Sequence, residues 1–335
     1  MSSTLDILPN FKNLECFKHF SLKVDSQCLL KNPLKDVSIR YNQGIIPKEE
    51  GSYTAVFVLS GFSSEGSKNF NFRSFENSFV KDLDTWALDK SLDPHIYIFV
   101  EAWTLMGGSQ FINSAGCGRY EDYIVTELVP ALKDSLPTGY KIKDSALLGG
   151  SSGGYGALHL SSKYPDVFSK CFAIAPDVDF EISLKQELYH LLYLVEPYGG
   201  FKEAFKAVQS GLVNTKKRSF HQMINAMAMA TCYSTVDSDG VPHLPLDKDG
   251  AWDENLWSLW LEKDPLFFLR ERSESLKKLE TLHLTVGSSD QFLLQYGARK
   301  LHSMFKAFRV NHVFEEFEGN HFDLGKQRKK VLNLI

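Results

Sequence analysis

Short runs of consecutive apolar residues recur along this chain, and between them lie segments whose apolar positions return every three to four residues. The first kind predicts strands at Thr54 to Leu59, Ile96 to Val100, Ala146 to Leu148, Cys171 to Ala175, Thr281 to Val286 and His312 to Phe317. The second predicts helices: over Tyr120 to Leu136 the residues Ile124, Leu128, Val129 and Leu132 share one face, and Leu294 to Phe308 follows the same rule. A run buried on both sides reads as a strand covered by helices on both faces, so the alternation predicts an α/β chain with a mainly parallel central sheet. Phe20 to Val24 and Val37 to Tyr41 come before this alternation and read as antiparallel edge strands.

The regular pattern stops at about Phe180 and resumes near Leu279, a gap too long for an ordinary loop. Within it, Leu184 to Leu194 and Phe201 to Ser210 have helical spacing, and an aromatic group follows at Trp252, Trp257 and Trp260. The expected organisation is one domain over 1–335 carrying a cap-like helical insertion over about 180–280, before the strand at Thr281. That insertion is expected over the rim of a site, its tryptophans either shaping the pocket or packing the insertion onto the core.

The chemistry concentrates where the strand at Ala146 to Leu148 runs into Gly149-Gly150-Ser151-Ser152-Gly153-Gly154-Tyr155-Gly156, followed by a helix predicted from Ser152 to Lys163. A serine on a sharp strand-to-helix turn needs small neighbours, because strand and helix approach too closely there for larger side chains. Such a turn lifts the hydroxyl above the sheet and aims backbone N–H groups at an incoming carbonyl oxygen. A phosphate-binding loop is the rival, but Tyr155 stands where its lysine would be, and no glycines are spaced for a dinucleotide fingerprint. The pentapeptide itself fits either serine, Ser151 or Ser152.

A serine hydroxyl needs a base, usually histidine, and that histidine needs an acid to hold its tautomer. In sheet-based hydrolases with this turn they follow the nucleophile in the order acid, then histidine. The strand ending at Val286 leads into Gly287-Ser288-Ser289-Asp290, and the next leads into Glu318-Gly319-Asn320-His321. Asp290 and His321 therefore both emerge at the carboxyl edge of the sheet, where sites of open α/β sheets gather. Asp177 and Asp179, just past the strand after the turn, are reserve acids. Nine other histidines compete for the base role, and among them His159, His190, His221 and His243 read as packing or surface residues. The second oxyanion donor is expected from Ser60-Gly61-Phe62-Ser63 after the Thr54 strand, with the Phe62 N–H as the choice.

Read in full, Gly149-x-Ser151-x-Gly153-Gly154-x-Gly156-Ala157-Leu158 resembles the elbow of the putative-esterase family, which includes esterase D, the antigen 85 mycolyltransferases, feruloyl esterases and enterochelin esterases. The resemblance puts Ser151 in the nucleophile slot and makes the N–H of Ser152 one oxyanion donor. It extends to Gly287-x-x-Asp290-x-Phe292 and Gly319-x-His321, and through Asn32-Pro33-Leu34, Ala102-Trp103-Thr104, Gly107 to Phe111, Gly118 to Tyr123 and Leu294 to Arg299. Ser60 replaces a histidine that many relatives carry before the Gly61 equivalent. What the resemblance implies is an α/β-hydrolase fold and acyl-ester chemistry. Trp103, Gln110 and Phe111 lie beyond a strand's carboxyl end and are candidate pocket residues together with Tyr155, or else Trp103, Gln110 and Phe111 brace the loop. The resemblance leaves the acyl group and its acceptor open.

Bulk properties narrow the picture further. A formal net charge of -4 over 335 residues gives no reason to expect nucleic acid or an anionic membrane as partner, and the basic stretch Lys326 to Lys330 reads as a solvated helix face. Met1-Ser2-Ser3-Thr4-Leu5-Asp6 lacks the charge and apolar run of a signal peptide, and no stretch is long enough to span a bilayer, so a cytoplasmic location is expected. Five scattered cysteines without C-x-x-C pairs read as free thiols. Asp237-Ser238-Asp239-Gly240 and Asp247-Lys248-Asp249-Gly250 lack a calcium loop's full ligand ladder and read as turns. The expected protein is a cofactor-free and metal-free serine esterase with a small-molecule ester substrate, its oligomeric state not legible; acyl transfer by the same residues, or a non-catalytic binding role on the same scaffold, are the alternatives.

Overall fold

The computed structural model of the chain describes residues 2–9, 13–30, 38–71, 77–212 and 218–335. Asn32-Pro33-Leu34 and the start of the edge strand expected at Val37 lie outside the described residues.

Its centre is a sheet of strands β1 (Ser3–Ile7), β2 (Phe17–Asp25), β3 (Ile39–Pro47), β4 (Gly51–Leu59), β5 (Ile96–Phe99), β6 (Tyr140–Gly150), β7 (Lys170–Ile174), β8 (Thr281–Gly287) and β9 (Val313–Phe317). In space the order is β1-β2-β3-β5-β4-β6-β7-β8-β9. From β5 through β9 all neighbours are parallel, while β1, β2 and β3 extend the sheet antiparallel. The two strands expected at the edge are β2 and β3, but β1 pairs with β2 and takes the edge itself; its residues are half-buried or exposed, with too few apolar positions to signal a strand.

Side chains alternate across the sheet, as the period of two requires. Ala55, Phe57 and Leu59 of β4, Leu147 of β6 and Cys171 and Ala173 of β7 face one layer of helices. Val56, Val58, Ala146, Leu148, Phe172 and Ile174 face the other, where α1 (Phe79–Leu88) packs through Phe79, Val80 and Leu83. Burial on both faces explains why these strands read as continuous apolar runs. Helix α2 (Ser152–Lys163) follows β6 as expected, and the stretch over 120–135 is helical but passes through a π turn at Tyr123–Leu128.

Between β7 and β8 the chain forms a set of helices, among them α3 (Lys185–Val195), Phe201–Gln209, α4 (Arg218–Tyr233), Glu254–Leu261 and Pro265–Glu271. Trp257 and Trp260, 1% and 0% exposed, sit inside this set rather than on a pocket. Their indole N–H groups donate to Glu181 and to Ser234 Oγ, and the Trp252 indole donates to the Tyr189 hydroxyl. The tryptophans therefore clamp the insertion's helices together, which corrects the pocket-shaping alternative. Both Asp-x-Asp-Gly stretches are turns in which the first aspartate accepts backbone N–H groups two and four residues on. Among the described residues no helix is long and apolar enough to cross a membrane.

Candidate active site

Sheet order reverses at β4, with β5 on one side and β6 on the other, so the loops leaving β4 and β6 face each other across a crevice at the carboxyl edge. Ser151 stands at the end of β6 with φ 57° and ψ -125°, a conformation that is sparsely populated for any residue with a Cβ. Its surroundings hold it there. The Ser151 N–H donates to the Ile174 carbonyl of β7 at 2.9 Å, and the Ser151 carbonyl accepts the Tyr155 N–H that opens α2. Glycine is required next to it by crowding: a Cβ on Gly149 would lie 2.1 Å from the Gly153 carbonyl oxygen, and one on Gly153 would lie 2.2 Å from that of Leu59.

Two turns bring the acid and the histidine to this serine. Ser288 N–H donates to the Phe317 carbonyl and Ser289 N–H to that of Gly319, each at 2.9 Å, so the turns after β8 and β9 are tied to one another. Asn320 caps the short helix His321–Gln327 in a capping box with Asp323, and the His321 N–H donates to Gln291 Oε1. Asp290, 2% exposed, accepts the Phe292 N–H at Oδ1 and approaches His321 Nδ1 with Oδ2 at 2.7 Å. An ionised carboxylate only accepts, so Nδ1 carries the proton and the Nε2 lone pair faces Ser151 Oγ at 3.0 Å. The geometry thus joins Ser151, His321 and Asp290 in one line.

The oxyanion candidates flank the same hydroxyl. A Cβ on Gly61, just before Phe62, would come within 3.7 Å of Ser151 Cβ, so the loop after β4 runs beside the serine. Among the described residues neither the Phe62 nor the Ser152 N–H meets an acceptor.

The reserve acids lie elsewhere. Asp179 pairs with Lys300 at 2.5 Å. Asp177 contacts the serines instead of the histidine: its Oδ2 accepts from Ser152 Oγ at 3.0 Å and from Gln110 Nε2 at 2.9 Å, and its Oδ1 faces Ser151 Oγ at 3.5 Å. Burial pushes the Asp177 carboxyl up, while the bonds from Gln110 and Ser152 and the nearby His321 pull the other way.

A cavity of about 850 Å³ opens over Ser151. Its walls include Phe62 and Ser63 after β4, Ser183, Leu184 and Glu187 of the insertion, and Phe292, Leu294, Phe322 and Leu324 around the acid and histidine turns. Helix α4 contributes His221, Gln222, Asn225 and Met229. Their spacing falls on one helical face, the signal that could have found them, but Met227, Ala228 and Ala230 are buried behind them and blur the pattern. His221, expected to pack or face solvent, lies against the Phe62 ring and 3.4 Å from Ser63 Oγ.

Trp103, Gln110, Phe111 and Tyr155 are not on the cavity wall. Trp103 is partly exposed, at 39%; Phe111 is buried against Gly156, where a Cβ would come 2.4 Å from its ring; Tyr155 is buried with its hydroxyl donating to the Lys263 carbonyl. Gln110, 2% exposed, stands behind the cavity wall, its Nε2 donating to Asp177 Oδ2 and to Met229 Sδ, each at 2.9 Å. His159 is buried against Glu121, the two 2.6 Å apart. All five cysteines are free, and among the described residues no cluster of three or more His, Cys, Asp or Glu side chains is arranged to hold a metal ion.

This sheet order, with its serine turn and covering helices, defines an α/β hydrolase. The family described as Putative esterase matches residues 37–323, and the chain belongs to that family, a class of carboxylic ester hydrolases. Among solved structures, a ferulic acid esterase matches at 16% identity over 97% of this chain and 98% of its own, with a TM-score of 0.58. A fluorophosphonate-binding serine hydrolase of Staphylococcus aureus, FphF, matches at 14% identity over 96% and 98% with a TM-score of 0.55. An S-formylglutathione hydrolase from the same organism matches at 14% over 96% and 99% with a TM-score of 0.54. These likenesses concern the fold. No curated protein matches the sequence.

Proposed function

We propose that this chain hydrolyses a carboxylic ester through an acyl-enzyme on Ser151, with His321 as general base and then acid and Asp290 as the group that orients it. The observation that carries the reading is the unbroken line from Asp290 Oδ2 through both ring nitrogens of His321 to Ser151 Oγ, with separations of 2.7 and 3.0 Å.

In this scheme Ser151 Oγ attacks the ester carbonyl carbon as its proton passes to His321 Nε2, and the imidazolium formed is stabilised by the Asp290 carboxylate. The carbonyl oxygen becomes an oxyanion held by the Phe62 and Ser152 N–H groups. Collapse breaks the bond to the alcohol oxygen, which leaves with the proton from Nε2. Water then repeats the sequence: His321 takes its proton, its oxygen bonds to the acyl carbon, and the acid departs as Ser151 recovers its hydrogen. The strained Ser151 backbone supports the same reading, because it is retained only where surrounding contacts overdetermine it.

The test is hydrolysis of a short-chain aryl ester by the wild type and by Ser151→Ala. The wild type is expected to turn over and the variant to fall to background with its fold intact. Turnover that survives in Ser151→Ala would remove the acyl-enzyme from the account.

A further inference from the structure

Asp177 is a carboxyl group in the reaction crevice for which the proposed triad has no use. Its two oxygens are in different situations. Oδ2 is fully engaged, by Ser152 Oγ at 3.0 Å and Gln110 Nε2 at 2.9 Å, and Gln110 is itself buried. Oδ1 faces Ser151 Oγ at 3.5 Å and, among the described residues, meets no other donor. That serine has one hydrogen, and the shorter contact, 3.0 Å, commits it to His321 Nε2. Once Ser151 is acylated the hydrogen is gone altogether. A carboxylate oxygen on the cavity wall is then left facing the acyl group with no protein donor, an arrangement that is costly unless the ligand or water completes it.

The distance determines which part of the ligand can do so. The acyl carbon bonds directly to Ser151 Oγ, so the next carbon of the acyl chain and its substituents lie beside the oxygen that Asp177 Oδ1 already approaches. Resting on the proposed acyl-enzyme at Ser151, we infer that Asp177 is a specificity-determining residue that selects acyl groups bearing a hydrogen-bond donor, a hydroxyl or an ammonium, on the carbon next to the scissile carbonyl. Glu187, on the insertion side of the same cavity, adds a second carboxyl and favours a cationic donor over a neutral one.

The experiment compares three esters of one alcohol, whose acyl groups are glycolyl, glycyl and propionyl. The glycolyl hydroxyl replaces the propionyl methyl at nearly constant shape. Each kcat/KM is divided by the rate of that ester with hydroxide, which removes intrinsic reactivity. The wild type is expected to favour glycolyl over propionyl by about tenfold or more, and glycyl by at least as much. In Asp177→Asn, Ser152 and Gln110 keep the amide oxygen in the Oδ2 position and turn the NH₂ toward the acyl group. The glycyl preference should then vanish or invert, because an ammonium has no lone pair to accept from that NH₂, while the glycolyl hydroxyl can still accept from it; Asp177→Ala should abolish both preferences. Fluorophosphonate labelling and thermal melts on each variant establish that the site is assembled. A wild-type ratio equal to that with hydroxide, a glycyl preference unchanged in Asp177→Asn, or a glycolyl preference unchanged in Asp177→Ala overturns the inference. Absence of Ser151-dependent turnover with all three esters would instead overturn the esterase reading beneath it.

Discussion

Replacing Asp290 with asparagine removes a charge and almost no volume. The side chain is buried, and its Oδ1 is held by the Phe292 N–H at 2.9 Å. In Asp290→Asn the amide oxygen keeps that bond, because an NH₂ group there would oppose the N–H. The amide nitrogen then occupies the Oδ2 position, 2.7 Å from His321 Nδ1, and two donors would face each other. The ring escapes by moving its proton to Nε2, which makes it a donor toward Ser151 and unable to take the serine hydrogen. Loss of the correct tautomer in this way is worth on the order of 10⁴ in kcat, or roughly 5 kcal/mol of barrier. The assay is kcat for a short-chain aryl ester from pH 6 to 9, with a thermal melt to show that the fold is kept. A loss under tenfold at every pH would refute the assignment. A comparable loss in Asp177→Asn on the same substrate, with Asp290→Asn nearly silent, would move the acid to the neighbouring strand.

Glu121 gives a stability prediction. Burial opposes its charge, but bonds from His159, Lys163 and Tyr164 outweigh this and hold its carboxyl down to about 2 from 4.5. A depressed carboxylate stabilises the fold fully above its unfolded value and loses that contribution as pH falls through the folded one, here about 3 kcal/mol between pH 4.5 and 2. Denaturant melts should show Glu121→Gln less stable at pH 7 and its deficit shrinking toward pH 3; a deficit independent of pH would refute this. Trp257→Ala should cost about 3–5 kcal/mol while leaving the relative kcat/KM for acetyl, butyryl and hexanoyl esters unchanged, since the ring is buried away from the cavity. Met229→Ala, on the cavity wall, should shift that ranking toward longer acyl chains. A reversed pattern would put the tryptophan, not Met229, in control of selectivity. Phe322→Ala, which trims an 81% exposed ring at the cavity wall, should raise KM about two- to tenfold with kcat for an acetyl ester little changed, and an unchanged KM would remove that ring from substrate binding.

The parallel strands were legible because burial on both faces forces unbroken apolar runs, and the Ser151 turn because its crowding admits only glycine at positions such as 149 and 153. Asp290 and His321 could be picked out because parallel order puts the ends of consecutive strands on one edge. The cavity walls were not legible. Met229 lines the cavity while Met227 and Ala230 on the same helix pack the core, and composition does not distinguish the two sides. Aromatic residues misled for the same reason: Trp257 and Tyr155 look like ligand contacts but spend their polar atoms on Glu181 and the Lys263 carbonyl. Asp177 was visible only as a spare acid, since its link to Gln110 joins residues 67 positions apart.

Whether Ser151 is the nucleophile can be read from which serine becomes covalently modified. The protein would be treated with a fluorophosphonate, digested and sequenced by mass spectrometry, alongside Ser151→Ala, Ser152→Ala and His321→Ala. A Ser151 nucleophile predicts modification at Ser151 in the wild type and in Ser152→Ala, none in Ser151→Ala, and slowed labelling in His321→Ala, where no base faces the hydroxyl at 3.0 Å. Modification at Ser152, or undiminished labelling in Ser151→Ala, would contradict it.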